Sequence, residues 1–256
     1  MYLREWDGIE FASLPASQST DDKPMSAEFY AQLYAALNAR GGTNPSWQRS
    51  KTQLGEQLHR EVFMPWQARA GRPPIILAVG AGQSFAERVW IEAGLGVTLH
   101  DGHEANFAEL RTRYPQASFL VGDLRDVEPA QSFDIITLLA VDYILPRADF
   151  ASLLRRLAGW LRKGGIIVIY TPSMLTVRRL AVECLRRATG AYSRNGYVFW
   201  GWWRTPGEFA TVATLAGMRL REVWKFGGSV LATPGLVWRT LPLRDMNGLF
   251  IYEALP

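Results

Sequence analysis

The residues best suited to chemistry stand at the ends of three successive predicted strands. Gly80, Ala81 and Gly82 follow an apolar run and open a helix, so the backbone there can turn tightly and approach a ligand. Asp101, 19 residues after Gly82, can accept hydrogen bonds from both hydroxyls of a ribose. Asp123, at the end of the third strand, can accept one from the exocyclic amine of a purine. Each carboxylate alone could equally have a loop or cap role, but the ordered set indicates a nucleoside-containing ligand.

Single positions in the same turn exclude two other phosphate-binding patterns. A dinucleotide fingerprint needs a third glycine three residues after Gly82, and that position is Phe85. A nucleotide-binding P-loop ends in Gly-Lys-Ser or Gly-Lys-Thr, which this turn lacks.

Alternating strands and helices must position these residues. Apolar runs between residues 73 and 170 indicate buried parallel strands, and helical patterns separate them. Repeated β-α units predict an open parallel sheet with helices on both faces. The predicted strands are Ile75–Val79, Val97–His100, Ser118–Val121, Ile135–Leu139, Ile166–Tyr170, Met218–Phe226 and Leu249–Ala254, and the predicted helices between them include Phe85–Ala93, Glu104–Tyr114 and Phe150–Leu161.

The first 72 residues have a different pattern. A stretch rich in Ser, Pro and Asp, 13–24, predicts a loop, and two helices follow, from Ser26 to Gly41 and from Ser46 to Ala70. Because no clean linker is present, we predict one domain with an N-terminal helical extension. Its parts are an N-terminal arm and helical lid at 1–72 and a main domain at 73–256, with an insertion at about 174–204.

Five runs of the sequence together resemble the class I S-adenosylmethionine-dependent methyltransferases: ILAVGAGQS, VTLHDG, FLVGDLRDV, FDIITLLAVDYIL and LRKGGIIVIYTPS. The resemblance covers about residues 73–173, and 205–254 fits the family's closing helix and strand pair. It implies an α/β fold with a Rossmann-like seven-stranded sheet, helices on both faces and a final antiparallel hairpin. It also implies an enzyme that uses S-adenosyl-L-methionine (SAM) and releases S-adenosyl-L-homocysteine (SAH).

The resemblance assigns the cofactor contacts to the carboxyl ends of the strands. Asp134, which begins the fourth strand, is expected to be structural instead. The implied contacts are Gly80, Ala81 and Gly82 for the methionine part, Asp101 for the ribose, Gly102, His103, Asp123 and Leu124 for the adenine, and Leu139 with Ala140 for the site of methyl transfer.

The sequence departs from the family pattern at the cofactor turn and after the fourth strand. Ala78 replaces an acidic residue that many members carry, and Ser84 replaces a third glycine. Tyr143 and Ile144 stand where many small-molecule members have a Glu-His pair. The departures keep open the alternative of a non-catalytic, SAM-binding regulatory member.

Three residues are candidates for a base, which an alcohol acceptor needs within hydrogen-bond reach. Asp142 and Tyr143 follow the fourth strand and are near the predicted transfer site in sequence. His59 lies on the N-terminal helical extension, which could cover that site, although a surface position is the alternative.

A basic, aromatic segment predicts the acceptor side. Residues 160–256 carry 13 basic and 5 acidic side chains, and 11 of the basic ones are arginines, which suit phosphate or carboxylate. Aromatic faces can stack on sugars or flat rings, although a hydrophobic lid packed on the sheet is the alternative. The candidate acceptor-binding residues are Arg178, Arg194, Tyr197, Trp200, Trp203 and Arg204.

The predicted helix Met174–Ala188 has arginines on one side and apolar residues on the other. A basic amphipathic helix can lie in a lipid interface, so peripheral membrane contact is one interpretation. We expect instead that its apolar side packs on the protein.

The favoured function is O-methylation of a small-molecule or glycan acceptor that is anionic or contains a sugar. A nucleic-acid methyltransferase is disfavoured, because an Asn/Asp-Pro-Pro-aromatic motif and an appended binding module are both missing from the sequence. The single cysteine, Cys184, excludes an intramolecular disulfide framework, and we expect no metal site and a cytoplasmic location. No apolar run approaches the roughly 18 residues of a membrane-spanning helix.

Overall fold

The computed structural model describes residues 1–14, 26–172, 174–194, 197–225, 230–231 and 247–254. Its N-terminal part consists of short strands followed by a long helical region. The bounds are β1 (Tyr2–Leu3), β2 (Glu5–Trp6), β3 (Ile9–Glu10), α1 (Ala27–Ala39), α2 (Pro45–Leu58) and α3 (Met64–Ala70).

The helix predicted from Ser46 to Ala70 is observed as α2 and α3, joined by the π-helical segment His59–Phe63. Pro65 lies in the first turn of α3 and has no N–H to donate. A wider turn just before such a residue shifts the hydrogen-bond pattern without ending the helix. The run as a whole ends at Gly71, which adopts a left-handed conformation with a φ of 68°.

The other strands are β4 (Ile75–Val79), β5 (Gly96–Asp101), β6 (Ser118–Val121), β7 (Phe133–Leu139), β8 (Leu161–Thr171), β9 (Val198–Phe199), β10 (Met218–Lys225), β11 (Val230–Leu231) and β12 (Gly248–Ala254). Within the described ranges, eight of them form one sheet in the order β11-β10-β12-β8-β7-β4-β5-β6. The five strands from β6 to β8 in this order are parallel to one another. β12 is antiparallel to both of its neighbours, β8 and β10.

The predicted seven-stranded sheet with its final antiparallel pair is confirmed by the seven long strands. β11 is an additional edge strand of two residues, too short to give a recognisable sequence pattern. β8 begins five residues earlier than predicted, at Leu161, because the Gly164-Gly165 pair lies within the strand. The register between β7 and β8 shifts there.

Helices cover both faces of the sheet, as predicted. Their bounds are α4 (Phe85–Glu92), α5 (Ala108–Arg113), α6 (Arg147–Gly159), α7 (Val177–Ala188), α8 (Ala191–Arg194) and α9 (Pro206–Leu215). None of the helices in the described residues is both long enough and apolar enough to cross a bilayer.

Apolar side chains build one core on each face of the sheet and a third core beside it. One face packs Trp90 and Leu54 against the sheet, and the other packs Phe150 and Phe209. The third core joins residues of the N-terminal arm and α1 to Val198 and Trp200. We refer to residues 1–14, α1 and residues 197–203 together as the lid.

Asp134 is a structural anchor, as expected from its place at the start of the fourth long strand. Its two carboxylate oxygens accept hydrogen bonds from Arg72, both at 2.7 Å, and one also accepts from the Ile75 N–H at 2.9 Å. These contacts tie the start of β4 to β7, at the edge of the sheet opposite the glycine turn.

Candidate functional site

The glycine turn between β4 and α4 requires its glycines. Gly80 and Gly82 have φ values of 64° and 51°, a region that side chains with a Cβ rarely adopt. A Cβ on Gly80 would lie 2.6 Å from Val141 Cγ2, and one on Gly82 would lie 3.3 Å from the Tyr34 hydroxyl. The turn therefore leaves a cradle that a larger residue would fill. Ser84 shares the left-handed conformation, with a φ of 57°, where the family pattern has glycine.

Asp101, at the end of β5, is buried and faces this turn. One carboxylate oxygen accepts from the Gly82 N–H at 2.9 Å. The other accepts from the His103 N–H at 2.9 Å and from Asn106 Nδ2 at 3.1 Å. The carboxylate is thus fixed in orientation at the point where the sequence predicts a ribose acceptor.

His100 connects the glycine turn to the end of β6. Its Nε2 lies 3.0 Å from the Gly122 carbonyl oxygen, and its Nδ1 lies 3.5 Å from the Gly80 N–H. This arrangement needs a proton on Nε2 and a lone pair on Nδ1, which is the neutral ring. Burial lowers the pKa of His100, in agreement with a neutral ring. The sequence pattern predicts that His100 lies within the strand and gives no sign of this role.

Asp123, the predicted adenine acceptor, is paired with its neighbour in the described structure. Arg125 donates to Asp123 from its backbone N–H at 2.8 Å and from its guanidinium at 2.9 and 2.5 Å. These hydrogen bonds lower the pKa of Asp123 to about 2. An adenine at this edge would meet Asp123 together with Arg125, beside the exposed Gly102 and the half-buried His103 and Leu124.

A cavity of about 140 Å³ lies between the glycine turn and the lid. It brings together three parts of the chain that are distant in sequence: the cofactor turn, the end of β7 and the aromatic segment that contains Trp200. Its volume is below the roughly 300–1,000 Å³ of sites that enclose small molecules. The lining includes Gly80, Ala81, Gly82, Ser84, Glu87, Leu139, Ala140, Tyr143, Lys51, Thr43, Tyr30, Tyr34, Trp6, Trp47 and Trp200.

Trp200 is the centre of the lid. Its ring stacks 5.1 Å from Phe11 and 6.1 Å from Trp6. Its backbone N–H donates to the Met1 carbonyl oxygen at 3.0 Å, next to the pairing of β1 with β9. The N-terminal arm and the predicted acceptor segment therefore form one unit, although nearly 200 residues separate them in the sequence.

Lys51 and Glu87 line the cavity and were missed by sequence reasoning. The Lys51 ammonium lies 4.5 Å from the Trp47 ring centroid and 5.0 Å from that of Tyr170. Burial lowers the pKa of Lys51 to about 8, although nearby Glu87 opposes the shift. Burial likewise raises the pKa of Glu87 to about 7, and Lys51 opposes that shift.

A sequence signal for both residues existed in the helical spacing. Lys51 is three and seven residues before Leu54 and Leu58, which are buried on one side of α2. Glu87 is three residues before the buried Trp90 of α4. A charged residue in register with an apolar stripe lies on the inner face of its helix.

Asp142 is fully buried behind the cavity. Burial raises the pKa of its carboxyl to about 7, although the charge of Arg204 opposes the shift. Arg204 Nε lies 3.8 Å from the Asp142 carboxylate, and the guanidinium also donates to Glu208 at 2.5 Å. Since Arg204 is only 1% exposed and does not line the cavity, its position corrects the prediction that it binds the acceptor. Asp142 likewise does not line the cavity, so it is not placed to act as a base there.

Tyr143 is the one base candidate of the three that lines the cavity. Burial raises the pKa of its hydroxyl well above the usual range, so the group stays protonated. His59 instead borders a separate depression with Pro73 and Leu95, at the amino ends of β4 and β5. The length of α2 carries it to the opposite edge of the sheet, so the structure corrects the prediction that His59 could act as the base.

The remaining acceptor candidates lie on or beside the lid. Trp203 contacts Arg179, whose guanidinium carbon is 4.8 Å from its ring centroid, and Tyr197 contacts Arg186 at 5.5 Å. Arg178 is exposed on α7. The side chain of Arg194 lies outside the described residues. Trp200 alone of the six candidates lines the cavity.

Residues 76–165 match a protein family described as a methyltransferase domain. The matched range runs from β4 into β8 and contains the glycine turn, Asp101 and Asp123. A search of curated proteins found no match.

Several solved structures share the fold. The magnesium protoporphyrin IX methyltransferase from Synechocystis, with bound SAH, is 12% identical, with a TM-score of 0.56 over 87% of this chain and 93% of that one. The mitomycin 7-O-methyltransferase is 15% identical, with a TM-score of 0.59 over 97% of this chain. The match spans 62% of that chain. A structure described as a pericyclic reaction enzyme is 13% identical, with a TM-score of 0.52 over 71% of this chain and 43% of that one. At these identities the likeness establishes the fold.

Proposed function

We infer that this chain is a class I SAM-dependent methyltransferase and that it methylates a small molecule held beneath the lid. The match of residues 76–165 to a methyltransferase-domain family supports this proposal. The observation that carries this proposal is the single cavity wall shared by Gly80, Gly82 and Leu139 on the sheet side and by Tyr143 and Trp200 on the lid side. A methyl donor and its acceptor must lie in line, so a site that joins both predicted regions supports transfer between them.

The residues at the strand ends fit SAM. Gly80 and Gly82 leave the cradle that the cofactor's amino-acid part requires, and the oriented Asp101 carboxylate can accept from ribose hydroxyls. His100 holds the turn and the end of β6 at a fixed separation. When bound, SAM supplies a methyl group on a positively charged sulfur.

The cavity walls that the lid and α2 form suit an acceptor with a flat or sugar ring and an anionic group. Trp6, Trp47 and Trp200 offer aromatic faces. Lys51 supplies positive charge at the cavity, where the sequence had pointed to arginines. The buried Tyr30 hydroxyl, which has no hydrogen-bond partner among the described residues, can pair with a polar group of the acceptor.

O-methylation requires a group that accepts the acceptor's proton, and Glu87 is the best-placed residue for it. It lines the cavity, and its pKa of about 7 lets the carboxylate take up a proton near neutral pH. The protonated Tyr143 can donate a hydrogen bond to the acceptor oxygen but cannot serve as the base.

Transfer of labelled methyl from SAM to a panel of small molecules tests the proposal. The panel pairs sugars and phenols with their phosphorylated or carboxylated forms. We expect turnover with an anionic member of the panel. Lys51→Met should raise the KM for that anionic member about tenfold or more and leave the KM for neutral members unchanged. Lys163→Met, an exposed lysine on β8, is the matched control and should behave like the wild type.

Tight SAM binding without turnover of any panel member would support the non-catalytic, regulatory alternative, which the Ser84 and Ala78 departures motivate. Equal loss of neutral and anionic acceptors in Lys51→Met would contradict the anionic assignment.

A further inference from the structure

Helix α7 is attached to the protein by its polar side. Glu183 accepts hydrogen bonds from the Tyr192 hydroxyl and from Arg187 Nε. Arg179 donates to the Met174 carbonyl oxygen at 2.7 Å, and its guanidinium lies over the Trp203 ring. Arg186 lies over the Tyr197 ring. These contacts bind the charged face of the helix to the segments that adjoin it.

The apolar side of α7 faces solvent. The exposed fractions are 42% for Val177, 39% for Leu180 and 64% for Leu185, and Cys184 between them is also exposed. None of the described side chains of α7 is buried. This corrects the expectation that the apolar side packs on the protein, and it reverses the usual orientation of a surface helix.

We propose that this face of α7 docks on the surface of a membrane that contains anionic phospholipids. Residues 177, 180, 184, 185 and 188 recur at helical spacing and form one apolar stripe. Arg178 and Arg187 are exposed on the two sides of the stripe, whereas Arg179 and Arg186 contact aromatic rings of the protein. An apolar stripe with basic flanks lies in the interface of an anionic bilayer, because acyl chains cover the stripe and headgroups meet the charges.

A second copy of the chain fits this face less well than a bilayer does. The 12 residues of α7 span about 18 Å, so a stripe roughly 10 Å wide offers only about 200 Å². Stable dimers bury about 800 Å² on each partner.

Co-sedimentation of the full chain with vesicles tests the proposal. We compare vesicles of phosphatidylcholine with vesicles of equal parts phosphatidylcholine and phosphatidylserine. The wild type should bind the anionic vesicles and release as salt rises. The double variant Leu180→Gln/Leu185→Gln should bind the anionic vesicles at least about tenfold more weakly than the wild type does. Its matched control is Leu215→Gln, which changes a leucine on α9 that is 51% exposed and should bind as the wild type does.

Either of two sedimentation results would overturn the proposal: no binding of the wild type to anionic vesicles, or equal binding by the wild type and the double variant. Circular dichroism of the double variant verifies that its helix content is unchanged. Because the substituted side chains are exposed, we expect it to fold normally.

The single cysteine gives a second measurement at the centre of the stripe. An environment-sensitive fluorophore on Cys184 should shift its emission to shorter wavelength with anionic vesicles, and an unchanged spectrum would contradict insertion. Sedimentation velocity without lipid tests whether a second copy of the chain covers this face of α7. A wild-type dimer that the double variant loses would assign the face to a second copy and overturn the membrane proposal.

Discussion

At the scale of single residues, the site combines side chains of fixed orientation with side chains that titrate near neutral pH. Asp101 has three donors on its carboxylate, which fix its orientation. His100 is neutral because burial and its two partners require it. Glu87 and Lys51 have pKa values shifted towards neutrality, at about 7 and about 8. The site therefore has fixed groups at the strand ends and titratable groups on α2 and α4.

Asp101→Asn should weaken SAH binding by about tenfold to a hundredfold, because a hydrogen bond to a charged group contributes about 1.5–3 kcal/mol. Isothermal titration calorimetry measures the change. Glu104→Gln, which alters an exposed carboxylate three residues on, is the control and should bind SAH like the wild type. Unchanged affinity in Asp101→Asn would contradict the assignment of this carboxylate to the ribose.

Glu87→Gln should change how stability depends on pH. The folded-state pKa of about 7 lies above the unfolded value of 4.5, so the folded wild type binds the extra proton between these pH values. Stability is therefore lost as pH rises through that window, and glutamine avoids the loss. We expect the variant to gain about 1–3 kcal/mol relative to the wild type at about pH 8, and little at about pH 5.

Urea unfolding at both pH values measures the Glu87→Gln effect. Glu109→Gln changes an exposed carboxylate and serves as the control, with no pH-dependent gain. A gain of equal size at both pH values would show that packing, and not the buried charge, separates the variant from the wild type.

At the scale of elements, the lid depends on pairing between distant segments. β1 pairs with β9, and Trp200 packs against Phe11 from the N-terminal arm. α1 contributes Tyr30 and Tyr34 to the same cavity. Removing one central aromatic side chain should therefore loosen the lid without unfolding the sheet.

Trp200→Ala should destabilise the lid by about 3–5 kcal/mol, as expected for loss of a buried tryptophan. Limited proteolysis should then cut within the N-terminal arm at lower protease concentration, while the sheet region stays intact. Trp160→Ala removes a similarly buried tryptophan from a core on the sheet. It should lower the Tm without selective cleavage of the arm, and equal cleavage in both variants would contradict a separate lid.

Local patterns predicted the strand-end features, and non-local pairing explains what they missed. Gly80, Gly82 and Asp101 were found because each ends or follows an apolar run that is readable in a few residues. The contact of Trp200 with Phe11 joins segments almost 190 positions apart, and no local pattern encodes such a contact. Arg204 was predicted at the acceptor because its residue type suits anions, whereas its buried pairing with Glu208 gives it a structural role.

At the scale of the whole molecule, the charge asymmetry has two structural explanations. Part of the excess of arginine is internal, since Arg204 is buried and Arg179 and Arg186 hold α7 to neighbouring aromatic rings. The exposed part includes Arg178 on α7, beside the proposed membrane face. Tyr192, which follows α7, stacks 4.4 Å from Tyr2 of β1, so this face is connected to the lid.

The small volume of the cavity has a consequence for binding kinetics. The aromatic cover restricts the space beside the glycine turn to about 140 Å³, so we expect this cover to move aside when an acceptor enters. At high ligand concentration the observed association rate should then level off at the rate of that movement, instead of rising in proportion to concentration. The apparent affinity should equal the affinity of the uncovered form multiplied by the fraction of molecules that are uncovered at any moment.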